Sequence, residues 1–149
     1  MAILAAVGEE SETSPVVEAA YELSTAYDEE LVVLHVVPEE EAESHLEELR
    51  DIAEFEHMSI SHEAERGASF AETVVENTLD DYDRGSISTI GRIGPPAETI
   101  LSVLASDEFD IRYLVVGGRR RTPVGKALFG DITQEVLLGS DVPVVTVMK

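Results

Sequence analysis

The sequence predicts an α/β fold, an open parallel sheet with helices on both faces. Two observations carry this. Five short strand-like runs occupy residues 2–7, 31–37, 86–93, 111–116 and 142–147, and segments with apolar residues at helical spacing separate them. Strands that alternate with helices build parallel sheets, and continuous apolar runs such as AILAAV and LVVLHVV suit strands covered on both faces. The crossovers should be right-handed.

The elements follow in order. AILAAV, residues 2–7, is the first strand, and GEESETS after it is a polar loop. Ser14 then Pro15 reads as an N-cap with proline at the first helical position. Val16, Ala19, Ala20, Leu23 and Tyr27 follow with one apolar face, and Asp28-Glu29-Glu30 ends the helix. LVVLHVV is the second strand, closed by Pro38. In the acidic stretch 39–82, Leu46, Leu49 and Ala53 mark one helical face; Ala71, Val74, Val75, Leu79 and Tyr82 mark another. The segment His57 to Gly67 between them is poorly periodic and reads as a loop or a short extra strand. SISTIGRI, residues 86–93, alternates as a third strand. After the Gly94-Pro95-Pro96 turn, Ala97, Ile100, Leu101 and Leu104 give a helix that ends near Asp107. IRYLVV is the fourth strand. Ile132, Val136 and Leu137 mark the last helix, with Gly139 as its C-cap. VPVVTV is the fifth strand. Pro143 donates no ladder hydrogen bond, which places that strand at the sheet edge.

Composition narrows the function classes. The 149 residues fit one domain, 1–149. The absence of cysteine excludes disulfides, thiolate metal sites and a cysteine nucleophile. There is no tryptophan for a base-stacking platform and no apolar run near the ~20 residues of a membrane span. The first residues lack a basic signal-peptide region, so a cytoplasmic location is expected. The formal net charge of −21 disfavours nucleic acid and anionic membranes as partners. Residues 1–83 hold 24 acids and two bases, whereas residues 84–149 hold seven acids and eight bases. Two lysines against eight arginines complete a composition that suits a folded intracellular protein of a high-salt organism.

Ligands of open α/β sheets bind beyond the carboxyl ends of the strands. The richest loop there is Gly117 to Asp131. Gly117 and Gly118 permit close backbone approach. Arg119, Arg120, Arg121 and Lys126 supply cations in an acidic chain, and Gly130 opens a helix whose N-terminal amides suit an anion. Together these describe a phosphate site; a basic loop that pairs with acidic neighbours or a partner subunit is the other reading. The remaining constellations are weaker. His45, His57 and His62 lack the i, i+4 spacing of a helical metal pair and read as solvated surface histidines. His35 reads as a hydrogen-bonded core histidine. Ser11, Thr13 and Ser14 have no recognisable base partner. The runs Glu39-Glu40-Glu41 and Asp80-Asp81-x-Asp83 read as solvated faces.

The segment VVGGRRRTPVGKALFGDITQEVL, followed by VPVVTV, resembles the C-terminal signature of the universal stress protein family: Gly, two residues, Gly, nine residues, then Gly followed by Ser or Thr. LVVLHVV and Gly94-x-Pro96 with Ile100 are similar to the family's second strand and third βα turn. The resemblance covers essentially the whole chain, and with the acid-rich, lysine-poor composition it points to a haloarchaeal-type member. It implies a five-stranded sheet of order 3-2-1-4-5 and a homodimer through the last strand, Val142 to Val147. It also implies a crevice for ATP or AMP with Mg²⁺. Carried over by residue, Gly117 matches the first glycine, Gly130 the third, and Thr133 a hydroxyl near phosphate; the adenine contact falls on backbone near Val36. The second glycine position holds Arg120, the Ser/Thr position holds Asp131, and the aspartate that ends the first strand in binding members is Gly8. A side chain at Arg120 blocks close approach, and Asp131 puts an anion where phosphate would sit. These departures imply a stress-response protein with a degenerate nucleotide loop. The alternatives are an ATP binder that uses Arg119 to Arg121 and the helix N-terminus at Gly130, and a slow ATPase.

Overall fold

The computed structural model describes residues 1–8, 14–50, 60–118 and 131–148. Five strands, β1 (Ala2–Val7), β2 (Glu30–Val37), β3 (Ile87–Ile93), β4 (Ile111–Gly118) and β5 (Val144–Met148), form one sheet in the order β3-β2-β1-β4-β5. Every pair is parallel. The helices are α1 (Ser14–Tyr27), α2 (Glu39–Arg50), α3 (Ile60–Thr78), α4 (Pro96–Ala105) and α5 (Asp131–Gly139).

Strand alternation divides the core in two. Leu4, Leu34, Val36, Leu114 and Val116 point to one face, under Ile100 and Val103 of α4 and Val136 of α5. Ile3, Ala5, Val33 and Val115 point to the other, under Val17 and Ala20 of α1 and Ala71 and Val75 of α3. β1 and β2 are buried nearly throughout, which explains why their sequences read as unbroken apolar runs. Among the described residues no helix is long and apolar enough to cross a membrane.

Several local expectations change. Residues 60–67, read as loop or strand, are the first two turns of α3. Their weak periodicity has a packing cause: Gly67 and Gly91 let α3 lie almost on the backbone of β3. A Cβ on Gly91 would stand 1.9 Å from the Ala64 carbonyl oxygen, and one on Gly67 would stand 3.3 Å from the Gly91 Cα. Small residues, not large apolar ones, make this contact, so a hydrophobic period does not reveal it. The inner face of α1 centres on Val17, Ala20 and Ser24, and Tyr27 is exposed. The α2 stripe is Ala42, Leu46 and Leu49, the first two buried; Ala53 lies outside the described residues. Pro143 precedes β5 rather than lying inside it, and its carbonyl accepts from Leu114 N at 3.0 Å. Gly139 is the last residue of α5 and serves helix packing, since a Cβ there would meet Leu101 Cδ1 at 2.7 Å. The left-handed helix terminus is instead Asp28, with φ of 53° after α1.

Candidate functional site

The strand order reverses direction at β1 and β4. The chain leaves β1 toward α1 and leaves β4 toward α5, on opposite faces of the sheet. A crevice opens between carboxyl ends that diverge in this way. Its walls are the ends of β1 and β4 and the first turns of α1 and α5.

On the β4 side, the buried hydroxyl of Thr133 donates to the Gly117 carbonyl at 2.8 Å. The bond ties the first turn of α5 to the end of the strand. Gly117 is exposed, and a Cβ there would stand 3.3 Å from Val16 Cγ2, so the first turn of α1 closes against the same point. Asp131 is the first residue of α5 and is exposed. Its carboxylate sits at the positive end of the helix dipole.

On the β1 side, Val7 is paired in register with His35. His35 is buried, and its Nδ1 lies 2.9 Å from the Val7 carbonyl, which makes Nδ1 the protonated donor. Its ring packs on Phe70 of α3 with centroids 4.4 Å apart. The expected core histidine is therefore present, and it anchors the residue at which β1 turns into the crevice. Gly8 follows, exposed, with nothing within 4 Å of where a Cβ would be. Val36 is buried in β2 on the face shared with Val116 and Val136.

Of the residues singled out in the sequence, the structure thus brings Gly117 and Thr133 into contact, sets Asp131 two residues before Thr133, and puts Val36 in the same layer. Arg119, Arg120 and Gly130 lie outside the described residues, as do Arg121, Lys126 and His57.

One cluster, between α2 and α3, was not legible. Glu63 of α3 is buried, bonded to His45 Nδ1 of α2 and to Arg66 Nε at 2.8 Å; Arg66 also reaches Glu41 at 3.8 Å. His45 is thereby corrected from a solvated histidine to the partner of a buried acid. Burial pushes the Glu63 carboxyl up, but the hydrogen bonds from His45 and Arg66 outweigh it and hold the group below its ordinary value. Eighteen residues separate His45 from Glu63, and no spacing rule joins them. A second cluster arises where the β1–β4 register shifts between Ala2 and Ile3. The extra residue, Arg112, bonds Glu29 at 2.9 Å and lies over the Tyr27 ring at 4.7 Å.

The sequence model of one family spans this architecture from residue 1 to residue 148, and that family is the universal stress proteins. The chain belongs to the universal stress protein family. Solved universal stress proteins share its fold. One from Archaeoglobus fulgidus is 22% identical with a TM-score of 0.61, the alignment covering 98% of this chain and 97% of that one. A universal stress protein from the same organism in complex with dAMP is 19% identical, with a TM-score of 0.58 and coverage of 98% and 96%. A universal stress protein in complex with cAMP is 15% identical, with a TM-score of 0.62 and coverage of 99% and 96%. No curated protein matches the sequence. The universal stress protein fold accounts for the strand order expected from the signature, and the crevice described above occupies its switch point.

Proposed function

We propose that this chain is a single-domain, cytoplasmic, dimeric stress-response protein of haloarchaeal type whose nucleotide crevice is degenerate. The observation that carries this reading is Asp131 at the first residue of α5. A helix N-terminus attracts phosphate through free amides and a positive dipole end. A carboxylate fixed there offsets both. Two further features point the same way: Gly8 has no side chain to hold a ribose hydroxyl, and the Thr133 hydroxyl is committed to the Gly117 carbonyl. Titration calorimetry with ATP and AMP, at molar KCl with Mg²⁺, tests this. The expected Kd is weaker than about 0.1 mM, less than ~5.5 kcal/mol of binding. Submicromolar affinity overturns the reading.

The second reading is an ATP binder, favoured by the dAMP and cAMP held by two structural neighbours. It requires Arg119 to Arg121 and the Gly130 helix start to outweigh Asp131, and the same titration decides between the two.

Assembly is assigned to β5. The strand is an edge strand, all five residues are partly exposed, and none is charged. Such an edge pairs readily with a second copy around a two-fold axis. Sedimentation velocity of the full chain should give a dimer, and Thr146→Lys, which puts a charge on this edge strand, should give a monomer. An unchanged mass for Thr146→Lys removes β5 as the interface.

A further inference from the structure

The sheet has two outer strands, and they are built differently. β5 carries no charge. β3 pairs with β2 in unbroken register over seven residues, from Leu31↔Ile87 to Val37↔Ile93, with no proline and no bulge. Such an edge is open to pairing unless something guards it. Its one charged residue is Arg92. Arg92 Nη1 donates to the carbonyl of its own neighbour, Gly91, at 2.9 Å. Nη2 donates to both carboxylate oxygens of Glu108, at 3.0 and 2.8 Å. Gly91 has no freedom to withdraw, because α3 lies where its Cβ would be.

We propose that Arg92 closes the β3 edge to strand pairing and thereby directs assembly to the β5 edge. An incoming strand that passes residue 91 must displace the guanidinium from the Gly91 carbonyl. It must also dehydrate or break the ion pair in which Nη2 meets both Glu108 oxygens. Charge-assisted hydrogen bonds are stronger than neutral ones, so this opposes pairing at that point. The guard has a geometric purpose. Two self-pairing edges on opposite sides of one protomer generate an open fibre, whereas one such edge closes as a dimer. The partner excluded is a second copy of this chain. This inference rests on the β5 dimer proposed above.

The experiment is sedimentation velocity of the full-length protein at rising concentration, with circular dichroism to verify the fold. Arg92→Thr keeps a strand-forming residue and removes the guard. Its mass should climb with concentration to roughly twice the dimer value or beyond, while the natural protein stays a dimer. Arg92→Thr combined with Thr146→Lys should give dimers through β3 in place of monomers. An Arg92→Thr protein with the same mass as the natural one at every concentration overturns the proposal. If Arg92→Thr does not fold, Glu108→Gln, which weakens the ion pair but keeps the arginine, should associate in the same direction to a smaller extent; no added association by it overturns the proposal instead. Should Thr146→Lys leave the natural mass unchanged, the β5 reading fails by itself. The comparison of Arg92→Thr with the natural protein still decides whether the β3 edge is guarded.

Discussion

The Thr133 hydroxyl donates to the Gly117 carbonyl at 2.8 Å, so a side chain pins the first turn of α5 to the end of β4. Replacing Thr133 with Val keeps the shape and removes the donor. A loss of about 1 kcal/mol is expected in chemical denaturation, the ordinary net value of one such bond. Thr133→Ser should recover most of it. A loss in Thr133→Ser with none in Thr133→Val would mean that the methyl contact, not the hydroxyl, holds the turn.

Asp131 and Arg120 test the crevice. If Asp131 repels phosphate, Asp131→Ser should tighten ATP binding by roughly 5-fold, the effect of ~1 kcal/mol from one like charge at an exposed position. Arg120→Gly should tighten it further if the side chain blocks backbone approach, and loosen it if the guanidinium replaces amide contacts. The double variant is expected to bind better than either single one, as read by calorimetry at molar KCl.

Gly8 and Gly91 make opposite predictions for the same kind of change. A Cβ at Gly8 meets nothing within 4 Å, so Gly8→Asp should shift stability by no more than about 0.5 kcal/mol. Gly91→Ala drives a methyl to 1.9 Å from the Ala64 carbonyl oxygen and should cost about 3 kcal/mol or more. Melting temperatures of the two variants side by side check the pair.

Glu63 sets an acid limb. Its folded-state carboxyl is held below the ordinary value of 4.5 by His45 and Arg66. A depressed acid contributes stability that is fully present above the unfolded value and is lost as pH falls through the folded one. Glu63→Gln cannot titrate, so its unfolding free energy should fall less steeply than that of the natural protein below about pH 5. Identical acid limbs for the two proteins would exclude Glu63 as a source of acid lability.

Salt provides the last test. Residues 1–83 hold 24 acids against two bases. The screening length grows from ~3 Å at 1 M to ~30 Å at 0.01 M salt, so the carboxylates repel over most of the molecule when salt is low. The melting temperature should rise markedly from low to molar KCl; a flat or falling trend contradicts adaptation to high salt.

The elements that the sequence by itself determined are those whose signal is local. An apolar run in β1 and β2 and a helical period in α4 each act within a few residues. They report burial on both faces and one buried stripe. Gly117 and Thr133 were legible because a signature places them. What only the tertiary structure decided are contacts between distant residues. Gly67 and Gly91 look like helix and strand breakers until α3 and β3 are laid together; then Gly91 has no room for a Cβ, and Gly67 packs tightly against Val37 and Gly91. Glu63 reads as one acid among 31, and its burial depends on His45 and Arg66 arriving on two helices. His35 finds its partner at Val7, 28 residues away. Hydrophobic periodicity records which face of an element is buried, but it carries no information about which residue of another element lies opposite, and close packing settles that.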